Sequence, residues 1–150
     1  MPASYLAKIE GPSGLVSHLG KHLPFVPDEA ATIALPPRVL GVMWGDPKKG
    51  YPRHPNEAPS TATPAGHHFD TIGILREGDD TELVTRFPTW PSAPGLRGLG
   101  GDPSADGGRA SIYLARVPDG TREGDRVRVR GHCRSHGEYV DFVEVRYLRR

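Results

Sequence analysis

Hydrophobic residues come in short bursts along this chain, and alternation with polar residues is their commonest spacing. Val39 to Trp44, Phe69 to Arg76, Thr81 to Phe87, Ile112 to Val117, Arg126 to Arg130 and Tyr139 to Leu148 each read as a strand bounded by Gly, Pro, Asp or Glu. Thr32 to Leu35 reads as one more, cut off from Val39 by Pro36-Pro37. Arg126 to Arg130 alternates most cleanly, with Val127 and Val129 on one face and arginines on the other. Tyr139 to Leu148 is apolar on both faces: Tyr139, Val143, Val145 and Tyr147 share one with Asp141, and Val140, Phe142 and Leu148 share the other. That predicts a central strand, or one covered on both sides. Only residues 13–23 carry helical spacing. Leu15, Leu19 and Leu23 recur every four residues beside Val16, Ser13 is placed to cap the first turn, and Pro24 stops the helix. Gly14 and Gly20 weaken it by ~1 kcal/mol each relative to alanine.

The connections divide into tight turns and long irregular stretches. Glu77-Gly78-Asp79-Asp80 makes a hairpin of its flanking strands, Pro118-Asp119-Gly120 is a second turn, and Gly131 to Gly137 reads as a seven-residue turn. Gly45 to Gly66 holds five prolines and, apart from Tyr51, almost nothing apolar, so it predicts an extended arm of polyproline character. Pro88 to Gly108 holds four prolines and six glycines around Trp90, Leu96 and Leu99. Six or seven short strands, one weak helix and no strand–helix–strand alternation predict a mainly β fold. The expected form is a small antiparallel β-barrel or sandwich with one short helix and long Pro/Gly-rich loops. Residues 1–150 then form a single domain, with 1–66 an N-terminal extension carrying the helix and the proline-rich arm, and 67–150 the β-barrel core.

Composition narrows the class. Glycine and proline make 35 of the 150 residues and hydrophobic residues only 36%, which leaves a small core and much irregular chain. No apolar run approaches the ~20 residues of a membrane-spanning helix. Cys133 is the only cysteine, so no internal disulfide framework exists. The start Met1-Pro2-Ala3-Ser4-Tyr5-Leu6 has no basic stretch followed by an apolar run, and an intracellular site of synthesis is expected. A net charge of +1 supplies no global field to draw in nucleic acid or anionic lipid. The charge is uneven, however: residues 109–150 hold ten arginines against six acids.

That basic end is the main candidate interaction surface. Arg126, Arg128 and Arg130 alternate on one strand face, Arg146, Arg149 and Arg150 sit on or after its partner, and Tyr113, Tyr139, Phe142 and Tyr147 lie nearby in sequence. A basic sheet face with aromatics is how OB-type barrels hold single-stranded nucleic acid. The interspersed Asp119, Glu123, Asp125, Glu138, Asp141 and Glu144 offer internal partners instead. His132-Cys133-Arg134-Ser135-His136, with His67-His68, has zinc-type ligands, but a lone cysteine without a second spaced pair reads more simply as an exposed polar turn with solvated histidines. Nothing resembles a nucleophile elbow, so no triad is assigned. Gly95-Leu96-Arg97-Gly98-Leu99-Gly100-Gly101 lacks the Lys-Ser/Thr of a P-loop and the order of a dinucleotide turn, which leaves a flexible connector. No metal, cofactor or catalytic residue is assigned.

The stretch Ile112 to Gly131, followed by Glu138-Tyr139-Val140-Asp141-Phe142-Val143, resembles the C-terminal part of the head-closure (head-to-tail connector, or stopper) proteins of tailed bacteriophages. Tyr113-Leu114, Pro118, Gly120-Thr121, Gly124-Asp125, Arg126-Val127, Val129, Gly131 and Tyr139-Val140 carry the likeness, and His68 to Arg76 is similar to that family's early strand. The resemblance implies a structural virion protein without catalysis, assembled in the host cytoplasm. It would form a homo-oligomeric ring between portal or adaptor protein and tail proteins, around a channel that passes DNA, with no membrane and no small-molecule substrate. The residues expected to make its contacts are Arg126, Arg128, Arg130, Arg146, Trp90, Leu96, Leu99 and Tyr51. An OB-like nucleic-acid-binding module using the arginine stripe is the alternative.

Overall fold

The structure is a computed structural model that describes residues 19–32, 34–54, 61, 68–86, 96–98 and 111–150. Eight strands are placed among these: β1 (Pro24–Phe25), β2 (Val39–Trp44), β3 (Phe69–Arg76), β4 (Leu83–Arg86), β5 (Leu96–Gly98), β6 (Ser111–Arg116), β7 (Arg126–Cys133) and β8 (Gly137–Glu144). They form two four-stranded sheets, ordered β1-β2-β6-β5 and β4-β3-β7-β8, with every neighbouring pair antiparallel. The two sheets stay separate, so the architecture is sandwich-like and the barrel form of the expectation is not realised.

Alternation explains most of this. Along β7, Val127, Val129, Gly131 and Cys133 are buried, while Arg126, Arg128, Arg130 and His132 point outward. β3 and β4 form the expected hairpin, with Ile74 opposite Leu83, but β4 begins at Leu83 rather than Thr81, so the connection runs from Glu77 to Glu82. Every residue of β2 is buried, because this strand is covered on both faces. Leu40, Val42 and Trp44 join the core between the sheets with Phe69, Ile72, Ile74, Tyr113, Val129 and Tyr139. Val39 and Met43 join a second cluster with Ala30, Leu35, Ile112 and Leu114. The core therefore crosses the boundary drawn at residue 66, since residues 39–44 supply a central strand of the first sheet.

Several local expectations change. In the run Thr32 to Leu35 the described residues form no strand: Asp28–Thr32 is a 3-10 helix and Leu35 plugs the second cluster. β7 runs on to Cys133, so the expected seven-residue turn shrinks to Arg134–His136, with Gly137 in the left-handed region at φ 87°. β8 stops at Glu144 and is an edge strand, so its two apolar faces do not mark a central position. Leu96–Gly98, read as a connector, pairs with β6 as β5. The expected helix lies mostly outside the described residues. Its described end is Leu19 and Gly20, followed by a turn in which His22 N donates to Leu19 O at 2.9 Å.

The stretch that carries the phage resemblance is the crossover from the first sheet to the second. After β6, Thr121 is buried and donates from both its backbone N and its Oγ1 to Pro118 O, at 3.2 and 2.7 Å. Arg38 holds the same turn from outside, its guanidinium donating to Thr121 O at 2.7 Å and Pro118 O at 2.9 Å. Gly124 N then donates to Val145 O at 2.8 Å and Val145 N to Asp125 O at 2.7 Å, which laces the C-terminal residues across the crossover. Glu123 completes the lacing by accepting from Tyr147 N and Leu148 N at 3.0 and 2.9 Å.

Where the sheets meet, Trp44 stacks on Phe69 with ring centroids 3.7 Å apart and planes 11° from parallel. A Cβ at Gly131 would lie 2.3 Å from the Trp44 ring and 2.8 Å from Phe69, so the stack depends on a bare backbone there. Gly131→Ala is expected to destabilise the protein by about 1–3 kcal/mol through overpacking. Urea unfolding followed by Trp fluorescence measures this, and an unchanged midpoint would mean that the indole does not rest on β7.

Candidate functional site

The arginine stripe is real but already engaged. On the outer face of the second sheet, Glu82, just before β4, lies across β3 over Gly73, where an added Cβ would meet its carboxylate at 2.2 Å. From that seat Glu82 takes hydrogen bonds from Arg130 Nε at 3.1 Å and Nη2 at 2.7 Å, and from Arg128 Nη2 at 3.3 Å. Arg130 Nη1 reaches on to Glu138 of β8 at 2.6 Å. Arg126 lies over the Phe142 ring, 4.4 Å from its centroid, which shields the largest exposed apolar side chain among the described residues. Arg146 stands apart from the stripe and pairs with Glu144 at 3.1 Å.

The electrostatics follow from that geometry. Hydrogen bonds from Arg130 hold the Glu82 carboxyl below the usual carboxylate range, and the same pair pushes Arg130 further up. Further along the face, His132 Nδ1 is 2.8 Å from Asp70 Oδ1, and Arg134 reaches the same carboxylate at 4.0 Å. A phosphate approaching Arg128 or Arg130 must displace a seated carboxylate, so the face is suited to a partner of mixed charge more than to a polyanion.

Other expected contact residues are distributed differently. The Tyr51 ring packs against Gly20, whose Cβ would come within 2.3 Å of it, so this residue is used within the chain. Leu96 is in β5, opposite Tyr113. Trp90 and Leu99 lie outside the described residues.

Beneath the β7–β8 turn lies a group that the sequence order conceals. Cys133, expected in an exposed turn, is fully buried at the end of β7. Around it stand His22, after the helical residues 19–20, His54, and His136 from the turn itself. Cys133 Sγ is 3.5 Å from His54 Nε2 and 4.0 Å from His136 Nδ1. The His22 ring is stacked on Tyr139 at 4.2 Å and edge-on to His54 and His136 at 5.0 and 5.1 Å. His54 is fixed from its backbone, N donating to Trp44 O at 2.9 Å. Burial pushes the Cys133 thiol up, opposed by hydrogen bonds from the Ser135 and His136 backbone N–H groups, while burial drives Tyr139 to about 12. His68 is buried elsewhere on β3's approach, where burial lowers its pKa, and His67 lies outside the described residues. The one sequence signal for this group was the Cys133–His136 spacing; His22 and His54 come from distant segments.

The chain matches no protein-family model, no curated protein and no solved structure.

Glu82 gives the outer face a pH signature. The folded protein holds this carboxyl deprotonated more firmly than the unfolded chain, whose ordinary value is 4.5. The stabilisation is therefore complete above that range and is lost as pH falls from it toward the lower folded value. Glu82→Gln is expected to cost about 1 kcal/mol at neutral pH, a typical contribution for a half-buried, charge-assisted pair. It should also flatten the acid limb of stability against pH. Chemical unfolding from pH 7 to 3 reads both effects; parallel limbs for the two proteins would show that Glu82 makes no ion pair in solution.

Proposed function

We propose that this protein is a structural ring subunit of a tailed-bacteriophage head-to-tail connector, joining portal to tail without catalysis. One observation carries the reading. The residues of the phage resemblance fold as a consecutive unit, β6, the Pro118–Asp125 crossover, β7 and β8, with the crossover locked by Arg38, Glu123 and the C-terminal residues. A motif of this kind fixes the relative placement of two sheets, which a ring subunit must repeat identically in every copy.

The surface chemistry agrees with that use. Heterologous ring contacts join unlike patches of one chain, and mixed charge supplies complementary ones. The outer face of the second sheet presents Arg126, Arg128 and Arg130 beside Glu82, Glu138 and Glu144. Along the free edge of β8, Glu138, Asp141 and Glu144 discourage indiscriminate strand pairing, so subunits would meet by faces more than by this edge.

Electron microscopy and native mass spectrometry of the full chain, alone and with purified tailed-phage portal rings, test the proposal. Closed rings, or stoichiometric decoration of the portal, are expected. A chain that stays monomeric at high concentration and leaves the portal bare would overturn it.

A further inference from the structure

We propose that Cys133, His22 and His136 bind a zinc ion, with His54 as the fourth ligand, and that this site staples the N-terminal part of the chain to the β7–β8 hairpin. The inference is independent of the assembly reading. It rests on four donors brought together by three separate stretches of chain, around residues 22, 54 and 133–136.

The distances are those of an open ligand set that has not closed on an ion. One ligand atom each from His22, Cys133 and His136 lie within 4.8 Å of one another. Zinc–sulfur and zinc–nitrogen bonds of ~2.3 and ~2.0–2.1 Å put the sulfur about 3.6 Å from each nitrogen across a tetrahedral edge. The observed separations from Cys133 Sγ are 3.5 Å to His54 Nε2 and 4.0 Å to His136 Nδ1. His22 and His136 must turn inward as the ion binds, since the separations in the set extend to 4.8 Å.

The donor set also chooses the metal. One thiolate with three imidazoles is a borderline-soft, four-coordinate set, which suits zinc and excludes calcium or magnesium. A thiol has one proton to share and each neutral imidazole has one donor and one acceptor. Three rings crowding one sulfur are thus served better by a cation that takes a lone pair from every ligand. On binding, the Cys133 thiol releases its proton to solvent as the zinc–sulfur bond forms, and the ion sheds its waters. The backbone N–H groups of Ser135 and His136 already point at the sulfur, the outer support that a metal thiolate needs.

Second-layer groups and access fit as well. Tyr139 holds the His22 ring by stacking, and the His54 ring lies 4.8 Å from Phe69, so two ligands are oriented by the aromatic core. His136 is exposed while His22, His54 and Cys133 are buried, which gives an ion a way in and then a closed surround. With four protein ligands and no open position, the site is structural. It adds stability to a chain with few apolar residues and ties together residues 22, 54, 133 and 136, which no disulfide can do here.

Zinc content and cobalt spectroscopy on the full chain test this. Protein purified without chelator should carry about one zinc per chain, and X-ray absorption should find a single sulfur with three nitrogens. The apo-protein refilled with cobalt should show a thiolate-to-metal charge-transfer band with the strong visible absorption of a tetrahedral site, and its Tm should rise with added zinc. Cys133→Ala and His22→Gln should each weaken zinc binding at least about tenfold, whereas His132→Gln, beside the site but paired with Asp70, should not. Because either ligand variant could fail to fold, the wild-type cobalt spectrum decides alone: no thiolate band overturns the site. A sulfur with two nitrogens and a water would remove His54 from it. Zinc retained in full by both ligand variants would assign the metal to other residues.

Discussion

The fold turns on one contact, the indole of Trp44 laid flat on Phe69 above a backbone with no side chain at position 131. Trp44 ends β2 in one sheet and Phe69 begins β3 in the other, so this stack sets how closely the two layers approach. Tyr113 of β6 meets both rings edge-on, and its hydroxyl accepts from Phe69 N at 3.1 Å, which anchors the start of β3 to the opposite sheet. Burial of such large rings contributes more than any other class of contact in a chain so poor in apolar residues. His54 and His22 then pack against Phe69, so the segments before and after β2 converge on the same point.

From that centre the molecule divides its surfaces. The first sheet is covered on its far side by Ala30, Leu35 and Tyr147 and is closed by the C-terminal residues, with Arg149 Nη1 donating to Leu35 O at 2.7 Å. Among the described residues, the far side of the second sheet carries paired charges around Glu82. One sheet is thus spent on the chain's own packing, and the other offers a rigid, charge-patterned face. In the ring assembly proposed above, that division would be used, because ion pairs seated by Gly73 fix the pattern of charge as well as its sign.

How much of this the sequence discloses depends on the range of the interaction that decides it. Strands β2, β3, β6 and β7 are readable because alternation and turn residues are local, and β2 and β3 match their expected bounds. β5 is hidden because Gly98 within it and Gly95 before it suppress the strand signal and its pairing with β6 comes from the sheet. β8 misleads because Val140 and Phe142 look like a second core face, whereas Phe142 lies at the surface under Arg126. The arginine alternation was legible, yet its partner Glu82 sits 48 residues before Arg130, so neutralisation of the stripe was not. The Cys133 group is the extreme case. Only Cys133 and His136 are neighbours in the chain, while His22 and His54, from distant segments, are buried beside Cys133.

Nuclear magnetic resonance of the central contact is the most direct test of the account. With the indole resting on β7, the Gly131 Hα proton on that side lies against the six-membered ring of Trp44 and is expected to be strongly ring-current shifted, with nuclear Overhauser contacts joining Trp44, Phe69 and Gly131. An ordinary Gly131 shift with no Trp44–Phe69 contact would contradict the stack, and with it the way the two sheets and the imidazole–thiol group beneath them are brought together.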